Sequence, residues 1–367
     1  MIIQAKSAVI NGKIENDQSI HINKGLISKI VPGVSKSAGI TVDDILIPAF
    51  VDIHCHGGAG SYFAAESEEE ILNVINFHRE HGTQTIIASL VSAEVRDLKL
   101  QIRRLLPFFE NGSIAGIHLE GPYISHARCG SHDPLALREP SIEILEEMLT
   151  LAKGAIKMVT IAPELRSAMD SIEMMVRKGI VVAVGHSNGR YEEASAALDA
   201  GATVATHFSN AMAKLPDGDR TFATALLEDP NVILEIIADG QHVDDKTINK
   251  VRDIAPGRIA LITDAMSAAG CDDGAYQIGN LGVKVKNGIA RLLSNGSLAG
   301  STLTMDKAFI NFMDVGATVA EASLAASTTP ARALALKEVG EIKVGMKANF
   351  LTFNPETFLV ETPVLPA

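Results

Sequence analysis

The chain has 367 residues, 47% hydrophobic and only 4% aromatic, with no tryptophan, and is large enough for one barrel-sized core plus an appended subdomain. Its 32 basic and 44 acidic residues give a formal charge of -12, which repels polyanions and argues against nucleic acid as a partner. No apolar run approaches the roughly 20 residues that span a bilayer, Met1-Ile2-Ile3-Gln4-Ala5-Lys6 lacks a secretory pattern, and Cys55, Cys129 and Cys271 form neither a disulfide framework nor a Cys-x-x-Cys unit, so a cytoplasmic protein with reduced thiols is expected.

The first 48 residues read as short strands and turns. Ala8-Val9-Ile10 runs into Asn11-Gly12, a strong hairpin signal, and Ser19-Ile20-His21-Ile22 into Asn23-Lys24-Gly25 and then Leu26-Ile27-Ser28-Lys29-Ile30. The same texture returns in Ile342-Lys343-Val344, Asn349-Phe350-Leu351-Thr352-Phe353 and Leu359-Val360. Residues 1–48 and 335–367 are therefore expected to build one small β-sandwich subdomain. Between them, over 49–334, eight apolar runs at 51–56, 84–89, 114–119, 157–162, 180–185, 203–207, 232–237 and 259–263 alternate with amphipathic helical segments. Eight strand-helix repeats predict an α/β fold, a closed (β/α)8 TIM-like barrel. Ser67-Glu68-Glu69-Glu70 reads as a capping box opening the first helix, with Gly82 closing it. Residues 271–300 interrupt the pattern with a hairpin, Val283–Lys286 turning at Asn287-Gly288 into Ile289–Leu292.

The chemistry collects at the ends of these runs. Residues i and i+2 of a strand share a face, so His54 and His56 in Val51-Asp52-Ile53-His54-Cys55-His56-Gly57-Gly58 present both imidazoles to one side, while Cys55 points away as a small hydrophobe. Glu120 follows the third run, His186 the fifth, His207 ends the sixth and Asp264 follows the eighth. That rim is where such barrels keep their active sites, and four histidines with two carboxylates suit zinc or another divalent first-row metal. Blander readings exist: buried partnered rings for His54 and His56, a loop cap for Glu120, a turn for His186 before Ser187-Asn188-Gly189, and a helix cap for Asp264. His118 reads as a residue behind the ligands, and His78 and His81, in Asn76-Phe77-His78-Arg79-Glu80-His81, as surface residues.

These blocks resemble the N-acetylglucosamine-6-phosphate deacetylases of the amidohydrolase superfamily. The likeness rests on Val51–Gly58, Gly116-Ile117-His118-Leu119-Glu120-Gly121-Pro122-Tyr123, Val184-Gly185-His186-Ser187, Thr206-His207-Phe208-Ser209-Asn210-Ala211-Met212, Ile237-Ala238-Asp239-Gly240-Gln241-His242-Val243, Leu261-Ile262-Thr263-Asp264-Ala265 and Leu298–Met305, in the family's order across most of the chain. The resemblance implies Glu120, His186 and His207 as metal ligands, His54 and His56 as ligands of a second ion bridged by Glu120, and Asp264 as the catalytic acid and base. It implies one or two divalent ions per subunit, zinc first, with iron and manganese accepting the same ligands, and a homodimer. It sets His132 against the acetyl carbonyl, Ser131 beside it among the substrate-binding residues, His242 and Arg220 near the phosphate, Asn210 and Ala211 on the sugar phosphate, and Leu298, Ala299, Gly300 and Ser301 along the pocket. The implied reaction releases acetate from N-acetyl-D-glucosamine 6-phosphate, in amino-sugar catabolism and cell-wall recycling.

Two stretches depart from the family's pattern. Ala127-Arg128-Cys129-Gly130-Ser131-His132 replaces a Lys-Gly-Ala-His type sequence, which puts Cys129 on a flap near the substrate; Pro216-Asp217-Gly218-Asp219-Arg220 lacks the Gly-Arg-x-Pro-Gly form, leaving a surface position at a helix start as the alternative for Arg220. The rival readings are an amidohydrolase for cyclic amides or N-acyl amino acids, and a catalytically silent barrel scaffold. Lys157 at the start rather than the end of its run disfavours the lysine-bridged metal pairs of the first, and the retained ligands disfavour the second.

Overall fold

The computed structural model describes residues 1–213, 215 and 220–362. All eight expected runs are strands of one sheet: Phe50–Cys55, Thr83–Val91, Gly116–Glu120, Ile156–Ile161, Val181–Val184, Val204–Ala205, Ile233–Ile236 and Ile259–Leu261. They are strands 1 to 8 of the barrel below. Each pairs in parallel with the next, and helices between them cover the outside. The sheet nearly closes. Across the seam between strands 8 and 1, Thr263 Oγ1 donates to Asp52 Oδ2 (2.5 Å) and the Asp264 N–H to the His54 carbonyl (2.8 Å).

Strand 1 divides its side chains between two environments. His54 and His56 turn toward the Glu120 carboxylate, whereas Val51, Ile53 and Cys55 are fully buried in the apolar cluster beneath the helices; the register shifts between Asp52 and Cys55, and the Asp52 carboxylate lies within 4.8 Å of the Cys55 thiol and the His78 ring. The Cys55 thiol lies 3.1 Å from His78 Nε2, and that nitrogen lies 2.9 Å from the Gly57 carbonyl. His78 is thus 1% exposed rather than a surface residue. Ile71, Val74, Ile75 and His78 form an i, i+3, i+4, i+7 stripe on the helix Glu68–Glu80, so the ring belongs to the buried face. His81 is half-buried and pairs with Asp306 at 2.9 Å. Ser67 is the helix N-cap, but its side chain makes no capping hydrogen bond, so the expected capping box does not form; Gly82, at φ +83°, closes the helix as expected.

Strands from both chain ends share a separate six-stranded sheet in the order Leu359–Glu361, Phe350–Asn354, Ile40–Pro48, Ile2–Ile10, Lys13–Asn23, Leu26–Pro32. Asn11 and Gly12 are both left-handed, as a tight hairpin between twisted strands requires. This sheet is tied to the barrel through aromatic contacts, Phe50 to Phe309 and Phe309 to Phe353, with centroids 5.4 and 5.3 Å apart. A three-stranded sheet, Ala275–Ile278, Leu281–Lys286 and Ile289–Leu292, follows strand 8 and includes the expected hairpin at Asn287-Gly288. It leaves Ile278, Ser297 and Leu298 at the mouth of the barrel's functional end.

Candidate metal centre and substrate pocket

Glu120, the last residue of strand 3, is the hub of the site. Its Oε1 lies 3.0 Å from His186 Nε2, 3.1 Å from His207 Nε2 and 3.5 Å from His54 Nε2. Its Oε2 lies 3.2 Å from His56 Nε2 and 3.1 Å from His132 Nε2. Asp264 Oδ1 closes the group at 3.3 Å from His56 Nε2 and 3.7 Å from His54 Nε2. His186, His207 and Asp264 have φ of 46°, 27° and 47°, a region costly for side chains other than glycine. Each turns sharply where its strand ends, which aims the side chain back over the barrel's mouth.

Three of the rings are fixed from behind. His54 Nδ1–H donates to Glu235 Oε2 (3.0 Å), His56 Nδ1–H to the Ser89 carbonyl (3.2 Å) and His186 Nδ1–H to the Arg128 carbonyl (2.8 Å). Those oxygens only accept, so each neutral ring turns an Nε2 lone pair inward. The Nε2 atoms of His54 and His56 are then 3.2 Å apart, and those of His186 and His207 2.9 Å. Converging lone pairs at that spacing call for a cation between them. Two groups, His54–His56–Glu120 and Glu120–His186–His207, hold their donor atoms within 4.8 Å, and imidazole nitrogen with carboxylate oxygen suits a divalent metal.

The titration of these groups carries the same message. Burial pushes the His56 imidazole down, but hydrogen bonds and charge from Asp264 and Glu120 overcome it and lift it to about 9. Burial pushes the Glu120 carboxyl up, and the surrounding imidazoles, His132 and His54 foremost, hold it well below the usual carboxylate range. A proton occupies this position when a metal does not. His132 is different: its Nδ1 accepts the Ser92 N–H at 3.1 Å, so the neutral ring keeps its proton on Nε2. Burial, only partly opposed by Glu120, pulls it down to about 4. It is an uncharged donor aimed at the metal centre.

Above the centre lies a cavity of about 360 Å3. Its lining includes Ser131, Asn210, Ala211, His242, Leu298 and Gly300 from the expected set, with Glu120, Asp264 and three of the histidines at its base. Asn210 Nδ2 is buried without a partner among the described residues, and His242 Nδ1 is held by Asp239 Oδ2 at 2.7 Å. Ala299 and Ser301 are not in the lining: Ala299 packs into an apolar cluster and Ser301 Oγ donates to the Thr263 carbonyl, while Leu298 and Gly300, the latter at φ +61°, border the cavity. Arg220 is also elsewhere, exposed and stacked 3.8 Å from the ring centroid of Tyr191, one residue before the Thr221 N-cap. The preceding 216–219, named above as a departure, lie outside the described residues.

Sequence reasoning missed the supports of this site: Glu235, Asp52, Ser89, Ser92 and Asp239. Glu235 had a visible signal, one charge inside Val232-Ile233-Leu234-Glu235-Ile236-Ile237; besides holding His54 it accepts the His207 N–H at 3.1 Å. His118 stands behind the ligands as expected, its ring edge-on to His54 with centroids 4.6 Å apart and its Nε2 2.8 Å from Thr160 Oγ1.

Residues 45–365 match the model of the amidohydrolase family. The chain belongs to the amidohydrolase family. Among its relatives in that family, an N-acetylgalactosamine-6-phosphate deacetylase of Escherichia coli O157:H7 is 33% identical over 92% of this chain and 91% of its own. An N-acetylglucosamine-6-phosphate deacetylase of Vibrio furnissii is 32% identical over 86% and 81%. The structure of the Mycobacterium smegmatis N-acetyl-D-glucosamine-6-phosphate deacetylase, solved as a mutant in complex with N-acetyl-D-glucosamine-6-phosphate, superposes with a TM-score of 0.94 at 35% identity, covering 98% of this chain and 96% of that one. This amidohydrolase is therefore a hydrolase of the group that contains the amino-sugar-phosphate deacetylases, and a divalent metal belongs to that family's chemistry.

Proposed function

We propose that the protein hydrolyses the acetamide of N-acetyl-D-glucosamine 6-phosphate, giving acetate and D-glucosamine 6-phosphate. The observation that supports this most is the sharing of Glu120 at the base of one cavity: its Oε1 faces the Nε2 atoms of His186, His207 and His54, its Oε2 those of His56 and His132, and the carboxylate belongs to both ligand groups. In this reading His186 and His207 with Glu120 hold one ion, and His54 and His56 with the same carboxylate hold a second. Zinc is the ion we expect, with iron and manganese as alternatives of the same ligand preference. When bound, a divalent cation here lowers the pKa of water toward neutrality and draws electron density from a carbonyl oxygen.

The chain's own residues do the rest. Asp264 accepts the proton of the attacking water as its oxygen bonds to the acetyl carbon. His132 Nε2–H donates to the carbonyl oxygen as negative charge develops there, and being neutral it needs no reorganisation to do so. Asp264 then returns the proton to the sugar nitrogen as the C–N bond breaks. Ser131, Asn210, Ala211, Leu298 and Gly300 orient the sugar, with Ala299 and Ser301 shaping the wall from behind, and His242 faces the phosphate. Arg220 keeps a role in this reading only if a second subunit of a homodimer receives it, since in its own subunit it stacks on Tyr191.

We further propose a division into a barrel over 49–334 and a β-subdomain of 1–48 with 335–367, and a cytoplasmic location; among the described residues no helix is long and apolar enough to cross a membrane. The test is acetate release from N-acetylglucosamine 6-phosphate with metal content measured in parallel. Turnover with metal present supports the reading, and a fully metal-loaded protein without turnover rejects the substrate. The N-acetylgalactosamine relative makes the C4 epimer the necessary second substrate, and faster turnover of that epimer would reassign the sugar.

A further inference from the structure

A phosphate ester entering this cavity meets two carboxylates, Glu120 and Asp264, in a molecule of charge -12. A matching cation is required, and Arg220 does not line the cavity. Arg128 does, as the only lysine or arginine of that lining among the described residues. We propose that Arg128 is the specificity-determining cation for the substrate's phosphate, an assignment that rests on the proposed substrate.

The residue is built for that task at both ends. Its main chain is fixed, the N–H donating to the Ser125 carbonyl (3.0 Å) and the carbonyl accepting from His186 Nδ1 (2.8 Å). Its side chain is aimed by Asn188, whose Oδ1 accepts from the guanidinium Nε at 3.2 Å. Asn188 is itself held by Glu164, which accepts the Asn188 N–H and the Ser187 hydroxyl, each at 2.6 Å. Among the described residues no carboxylate pairs with Arg128, so both Nη atoms keep their donors for a ligand. A planar guanidinium with Nε anchored and two Nη groups available is the donor fork that a phosphate accepts in bidentate fashion.

The assignment makes a separable prediction because the main-chain carbonyl that orients His186 survives any side-chain change. In the metal-loaded enzyme, Arg128→Ala is expected to lower the ratio of kcat/KM for N-acetylglucosamine 6-phosphate over unphosphorylated N-acetylglucosamine by tenfold or more, chiefly through KM, with metal content retained. Arg128→Lys should restore part of that ratio, since it keeps the charge but not the fork. A wild-type ratio in Arg128→Ala overturns the assignment, as does loss of selectivity in Arg220→Ala alone. Loss of metal in Arg128→Ala would make the residue a structural support and overturn it equally. A wild-type enzyme indifferent to phosphorylation would reject the substrate itself, a failure distinguishable because it appears before any variant is made.

Discussion

His54 Nδ1 and Glu235 Oε2 are 3.0 Å apart, both side chains wholly buried, linking strand 1 to strand 7 across the barrel's interior. A carboxylate behind a ligating imidazole fixes its tautomer and raises its basicity. Glu235→Ala is expected to weaken metal binding about 10- to 100-fold. Chelator competition monitored by metal content measures this, and unchanged affinity would reduce the pair to a packing contact.

Metal binding should release protons. His56 holds its proton up to about 9 in the metal-free protein, because Asp264 and Glu120 outweigh the effect of burial. Below that pH the ion competes with a bound proton, so apparent affinity should rise as pH increases from 6 toward 9. Calorimetric titration in buffers of different ionisation enthalpy reports the protons released; a count of zero at pH 7 would contradict this ordering.

Asp264→Asn preserves shape but cannot accept a proton. We expect it to keep its metal and lose about 10²- to 10⁴-fold in kcat, the usual range for a positioned acid-base group. A rate near wild type would remove Asp264 from proton transfer.

His132 acts as a donor of one fixed hydrogen. His132→Ala should cost about 10²- to 10³-fold in kcat, as loss of a single oxyanion donor does. Because burial draws this imidazole down to about 4, it stays neutral above that value. The wild-type rate should therefore show no titration from His132 between pH 5.5 and 8, and kcat against pH is the measurement.

Asp239 holds the opposite end of the pocket. It accepts from His242 Nδ1 and from the N–H groups of Gln241 and His242, so the His242 Nε2 is left to face a ligand. Asp239→Asn keeps an oxygen for the two N–H groups of the turn, but puts a donating amide NH2 where Oδ2 accepts from His242 Nδ1. KM for the phosphorylated sugar should rise severalfold with kcat little altered. A fall in kcat at constant KM would instead place the pair in the chemical step.

Much of this was legible in the residues themselves. Every barrel strand was visible as an apolar run, because a strand buried on both faces leaves little room for polar residues. The candidate ligands His54, Glu120 and His207 and the candidate acid and base Asp264 were visible because they interrupt or end such runs. Strand 6 is shorter than its run, Val204–Ala205, since the chain turns at His207 to aim the imidazole. His78 was misread because its neighbours in sequence are charged, although its spacing from Ile71, Val74 and Ile75 matched the buried stripe. Arg128 and Asp239 were not legible as site residues. Their positions depend on how loops after strands 3, 5 and 7 meet in space, which no local pattern encodes.

The seam between strands 8 and 1 gives the metal centre a mechanical meaning. There the ladder of strand hydrogen bonds lapses, and Asp52, Thr263 and the Asp264 N–H bridge the two edges. His54 and His56 stand on one edge and Asp264 on the other, so in the proposed reading an ion held by the two histidines beside Asp264 would draw the edges together. Hydrogen exchange at the seam amides should slow on metal loading more than at the continuous ladder between strands 3 and 4, making the catalytic ion the fastening of the fold as well as the source of its reactivity.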